Sequence, residues 1–180
     1  GQIYWSDTHQ LSVYLDDYHS AIDARCCAGH KSTEMITELY VPRSELEGLL
    51  AGVRSAARRH GANIIYGTIR LIEADRVTFL PWAKEAYACV VLNVHVEHTP
   101  SGLAHARQTF RQLIDQALIR RGSYYLTYHR WATRDQILAA YPAVPTFLAS
   151  KIAFDPSDVF QSNWYRHLKI LIERGADEGE

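Results

Sequence analysis

A chain of 180 residues, 47% hydrophobic and 22% charged, has the length and composition of one folded domain with a real core. Nineteen Lys and Arg against 20 Asp and Glu leave a formal net charge of −1, which excludes a generally basic protein built to hold nucleic acid. No apolar run reaches the length of a membrane span, and no signal-peptide pattern opens the chain.

The first residues, Gly1-Gln2-Ile3-Tyr4-Trp5, include no Met, as in an excised fragment. Ser6-Asp7 reads as a helix start, and Leu11, Tyr14, Leu15, Tyr18 and Ile22 give that helix an apolar stripe. The segment from Cys26 to Ser32 reads as a loop. Its Cys26, Cys27 and His30 invite a zinc reading, but no second pair follows at finger spacing. With Cys89 the cysteine count is odd, a poor disulfide framework, and a reducing cytoplasm is the expected location.

A regular series follows. Thr33 to Val41 alternates as a strand and closes at Pro42. Ser44, with Glu47 three residues on, predicts a capping box for a helix to His60, ended by Gly61. Its Arg54, Arg58, Arg59 and His60 complement the helix dipole at that end. Ala62 to Glu73 and Ala86 to His98 are the second and third strands. Ser101 caps a second helix with Leu103, Ala106, Phe110, Leu113, Ile114, Ala117 and Leu118 on one side, stopped by Gly122. Ser123 to Tyr128 reads as the fourth strand. Short helices then run over Thr133 to Tyr141, Val144 to Ile152 and Ser162 to about Arg174, with Asp155-Pro156 as a break.

Strand, helix, strand, strand, helix, strand is the order of an α+β, ferredoxin-like split βαβ fold. It predicts a four-stranded antiparallel sheet with two helices on one face, plus N-terminal and C-terminal helical extensions. The expected divisions are 1–32, an N-terminal helix and loop; 33–130, the ferredoxin-like domain; and 131–180, a helical tail.

Strand parity separates the two faces of that sheet. Ala88, Val90, Leu92, Val94 and Val96 meet the helices, with Ile65, Ile69 and Leu71 from the second strand and Met35, Leu39 and Val41 from the first. The bare face then carries Glu38, Tyr40, Tyr66, Thr68, Arg70, Asn93 and His95. In the fourth strand parity alone does not choose between the Tyr124–Leu126–Tyr128 row and the Tyr125–Thr127–His129 row. Tyrosines mixed with an Arg, an Asn and a His compose a ligand pocket or an interdomain contact better than a solvated face. No nucleophile triad, phosphate loop or dinucleotide-binding Gly motif occurs anywhere in the chain.

Three stretches carry a resemblance to a known family: YGTIRLIEAD at Tyr66 to Asp75, ACVVLNVHV at Ala88 to Val96, and the tail from Tyr124 to Leu168. In that order and spacing the chain resembles the C-terminal portion of FAD-linked oxidoreductases of the vanillyl-alcohol oxidase type. It is similar to the alditol and sugar-lactone oxidases, the decaprenylphosphoryl-ribose oxidases and the sterol Δ24-reductases.

The resemblance implies a cap domain whose open sheet face lies over the flavin, with FAD held mainly by an N-terminal domain of the same polypeptide. It implies hydride transfer between flavin N5 and an alcohol-type substrate (polyol, lactone or lipid-linked sugar) or an alkene. Of the family's acidic-x-Arg pair, Arg70 matches the Arg and Thr68 stands where the acid would be. Asn93 stands where alditol oxidases place a His, with His95 one step along. No Lys follows the last strand, and the matching stretch leaves both His129 and Arg130 as candidates.

The implied roles are thus catalytic for His129, Arg130 and Arg70, and substrate-binding for Tyr66, Thr68, Asn93, His95 and Tyr128. Gln161, Asn163 and Trp164 are the implied cofactor contacts, in a tail that returns to the flavin domain. The alternative is a stand-alone ferredoxin-like module without catalysis, binding a ligand or pairing its open face in a homodimer.

Overall fold

The computed structural model describes residues 17–177. Within them run α1 (Tyr18–Arg25), β1 (Ser32–Pro42), α2 (Leu46–His60), β2 (Ile64–Ile72), β3 (Tyr87–Glu97), α3 (Pro100–Leu118), β4 (Ser123–Tyr124), α4 (Arg134–Ala140), α5 (Val144–Phe154) and α6 (Asn163–Asp177). The strands form one sheet in the order β2-β3-β1-β4, every neighbouring pair antiparallel. This is the ferredoxin-like order, with the two central strands supplied by different split βαβ units. The helix start expected at Ser6-Asp7, and the stripe residues Leu11, Tyr14 and Leu15, lie outside the described residues.

The alternation read from β3 sets the layers. Leu39, Val41, Val90 and Leu92 face α2 and α3 and are buried with Leu49, Leu113 and Ile114. A fully buried side chain of this size contributes about 1.5–3 kcal/mol, so this face carries most of the fold's stability. The helices lie over β1, β3 and β4. At the sheet edge, the helix-side residues Ile69 and Leu71 of β2 therefore remain 50% and 66% exposed. The C-terminal helices close the same core, since Ile137, Tyr141, Leu148 and Leu168 belong to the cluster that contains Leu39 and Val41. Among the described residues no single helix is long and apolar enough to cross a membrane.

Several local expectations need correction. Ser44 lies in a short 3₁₀ turn, Arg43–Glu45, so α2 begins after it and its N-cap, Glu45, makes no side-chain cap bond. Gly61 ends α2 at φ 59°, as its left-handed freedom allows. The cap of α3 is Thr99 rather than Ser101: Pro100 occupies the first helical position, and the Thr99 hydroxyl accepts from Gly102 N–H at 2.9 Å. In β2 the register shifts between Ile64 and Tyr66, so Ile64 opposite Val94, not Ile65, packs against the core.

β4 is two residues long, not six. Side chains of the tail take carbonyls on the outer edge of this segment: Tyr141 O–H donates to Tyr124 C=O, and Trp164 Nε1–H to Leu126 C=O. Gly122 matters through close approach, because a Cβ there would sit 2.1 Å from Tyr40 C=O.

Candidate functional site

Register turns the open face into a grid. Tyr66 of β2 lies opposite Asn93 of β3, which lies opposite Ile36 of β1. The next rung is Thr68, Val91 and Glu38, and the one after is Arg70, Cys89 and Tyr40. Tyr128, from the segment beyond β4, reaches onto this grid through a hydrogen bond to Glu38. Tyr66, Thr68, Arg70 and Tyr128 are exposed there, whereas Asn93 and His95 are buried.

Glu38 is the centre of this face, although only 9% of it is exposed. Its carboxylate accepts from Tyr40 O–H at 2.6 Å, from Tyr128 O–H at 3.0 Å and from the Cys89 thiol at 3.6 Å. Among the described residues no Lys or Arg lies within ion-pair distance of it, so the bridge to Arg70 that a solvated sheet would offer is not formed. A buried carboxylate without a counter-ion depends on such donors. The cluster in turn holds its protons tightly. Burial pushes the Cys89 thiol up to about 12, with the Glu38 charge adding to it. Burial and the bond to Glu38 also raise the Tyr40 phenol. Tyr128 is raised by burial and by Glu38, with Arg70 pulling the other way. The cluster around Glu38 was missed as a unit in the sequence; the signal for it was an acid in a bare-face row next to Tyr40.

At the other end of the grid the face is closed by the chain itself. α1 brings Asp23 to His95, with Nε2 and Oδ1 2.8 Å apart. Ser32 O–H also donates to that carboxylate, and these two partners, Ser32 first, hold the Asp23 carboxyl below its usual range. His95 is therefore engaged by the chain's own acid.

His129 does not share the face with Tyr128. It turns to the helix side, edge-on to Phe110 at 4.7 Å between ring centroids and stacked on Trp131 at 5.7 Å. It is 7% exposed, neither ring nitrogen has a partner, and burial alone pushes its pKa down to about 4. A neutral imidazole inside the core cannot exchange protons with a ligand on the open face. The expectation that His129 is the acid/base group is therefore corrected: where β4 ends, the alternation that would have placed it no longer applies. Exposed Arg130 borders a cavity of about 10 Å³ together with His129, Trp164 and His167. That volume is about one water molecule.

The chain matches no known family model and no curated protein.

Of the three tail residues expected to touch a cofactor, each already has a partner within the chain. Trp164 Nε1–H donates to Leu126 C=O at 3.1 Å, while Gln161 Oε1 and Asn163 Oδ1 accept from Arg166 at 3.1 and 3.0 Å. Trp164 is thereby tied to the segment beyond β4, while Gln161 and Asn163 remain exposed at the start of α6. The open face fits a ligand better: exposed Arg70, Thr68 and Tyr128 stand in front of a buried carboxylate. Among the described residues no three His, Cys, Asp or Glu side chains gather as a metal site would require.

Proposed function

We propose that this chain is the substrate-facing cap of an FAD-dependent oxidoreductase whose flavin is held by another domain of the same polypeptide. The observation that carries the reading is the open ferredoxin-like sheet face, on which Thr68, Arg70 and Tyr128 are exposed around buried Glu38 and Asn93. The resemblance of Tyr66–Asp75, Ala88–Val96 and the tail points to the same face. FAD, when bound, supplies the hydride acceptor.

The chain's own residues bind and orient. Arg70 pairs with an anionic or hydroxyl-rich substrate, Tyr66 and Tyr128 line it with rings and hydroxyls, and Asn93 donates from the sheet floor. His95, tied to Asp23, braces α1 rather than the substrate. His129 has no part in the chemistry.

The test is the absorption spectrum of the protein expressed with its upstream coding region restored. A flavin that co-purifies and bleaches on addition of a polyol, a lactone or a sterol-like alkene is the expected result. A colourless protein with FAD supplied would sink the reading. The second reading, a binding or dimerisation module, draws on a separate observation, the β2 edge with Ile69 and Leu71 half or more exposed. It predicts a dimer by light scattering that persists when the flavin half is present.

A further inference from the structure

Glu38, 9% exposed, is bonded to partners of very different exposure. Tyr40 and Cys89, 3% and 2% exposed, seal one side of its carboxylate, whereas Tyr128 is 41% exposed. Tyr128 thus joins the buried carboxylate, through its 3.0 Å bond, to the face on which Thr68 and Arg70 are exposed.

We propose that Tyr128 and Glu38 form a proton relay that takes the hydroxyl proton of an alcohol substrate bound on the open face. The relay rests on the flavin-linked reading above and narrows its substrates to primary or secondary alcohols. Oxidation of such an alcohol to a carbonyl removes a hydride from carbon and a proton from oxygen. FAD, when bound, would supply the acceptor for the hydride. The proton passes to the Tyr128 oxygen as the phenol gives its own proton to Glu38 Oε1, 3.0 Å away, so Tyr128 remains neutral and Glu38 ends protonated. Tyr128 holds its proton more tightly than a free phenol, so it acts by this hand-off and not by ionising first. Tyr128 is the catalytic residue of the pair, and Glu38, which acts through it, is a positioning residue. The titratable and charged groups facing the pair are Tyr40 from β1, Arg70 from β2, Cys89 from β3 and Tyr125 beyond β4. Reduction of an alkene would need a donor at the same place, and a carboxylate that accepts from three partners is set up to receive.

The experiment uses the full flavin-containing polypeptide, linear polyols as probes, and the variants Glu38→Gln, Glu38→Asp and Tyr128→Phe. Single-turnover flavin reduction should slow about a hundredfold in Glu38→Gln and Tyr128→Phe, with flavin still bound, and recover in part in Glu38→Asp. A second readout is independent of turnover: the Tyr128 titration, followed by NMR of isotope-labelled tyrosine, should shift to lower pH in Glu38→Gln. Native-like reduction rates in Tyr128→Phe and Glu38→Gln, or an unmoved Tyr128 titration, overturn the relay while leaving the flavin reading standing. A flavin that lactones or alkenes reduce or reoxidise and polyols do not also overturns it. A polypeptide that binds no flavin removes both.

Discussion

Under α2 and α3 the sheet pairs Leu39 with Val90 and Val41 with Ala88; one residue along on the opposite face, Tyr40 stands across from Cys89, and Glu38 across from Val91. The same strands thus make an apolar wall and a polar floor. On the wall each side chain is worth what its burial removes from water. On the floor a smaller buried cluster of Tyr40, Tyr87, Cys89 and Val91 surrounds the directional bonds that converge on the Glu38 carboxylate. The main core and the face proposed to meet a ligand are separated by the thickness of a strand, and substitutions on the two faces should differ in kind as well as in size.

The largest expected effect is on the wall. Phe110 is fully buried, lying edge-on to both His129 and Trp131. Phe110→Ala should cost about 3–5 kcal/mol in denaturant unfolding, since the lost transfer energy adds to that of the cavity left behind. A loss under about 1 kcal/mol would mean that this margin of the core collapses freely around the gap.

His129 gives the wall a pH dependence. Unfolded, it binds a proton below its ordinary value of 6.5, and folded only near 4. Between those values the unfolded chain binds more protons, so the contribution is fully present above about pH 6.5, falls as the pH drops, and levels off below about 4. The span is about 3 kcal/mol, and it should be missing from His129→Leu when unfolding is followed across pH. Parallel pH profiles for the two proteins would show that the imidazole reaches water.

His129 and its neighbour Tyr128 also mark where the sequence stopped being legible. The two faces followed from alternation along β1 and β3, and both helices from their apolar stripes, because each element is long enough to show its period. Tyr128 and His129 lie past the two residues of β4, where no period survives, and the fold sends them to opposite faces. The central role of Glu38 was equally hidden. It depends on a hydroxyl arriving from a segment some 90 positions away and on Tyr40 beneath it. The bulge at Ile65 and the hold of Asp23 on His95 are likewise tertiary facts with no local signature.

On the floor a smaller effect is expected from Tyr40→Phe. It removes the shortest bond to Glu38 and leaves the ring in place, which should cost about 2 kcal/mol, the worth of a hydrogen bond to a charged group. Its signature is specific. Cys89, left as the donor to Glu38 Oε2, should react with thiol reagents at a changed rate, whereas a core truncation such as Phe110→Ala would speed labelling only through unfolding. If Tyr40→Phe leaves both stability and Cys89 labelling unchanged, the carboxylate is not the centre of the floor.

The smallest effect on stability belongs to Arg70, and it draws the contrast between the faces most sharply. The side chain is exposed, forms no ion pair among the described residues, and feels Cys89 and Tyr128 only through its charge. Arg70→Ala should therefore change unfolding by no more than about 0.5 kcal/mol. In the flavin-containing polypeptide, however, it should slow flavin reduction by about tenfold or more, because a positioned charge acts on the reacting centre without contributing to the fold. Arg70→Lys should recover only part of the rate, since an ammonium lacks the planar fork that holds a carboxylate or vicinal hydroxyls. A variant that loses stability in proportion to rate would place Arg70 with the wall. One that loses neither would leave the floor without its cation and the cap reading without its substrate anchor.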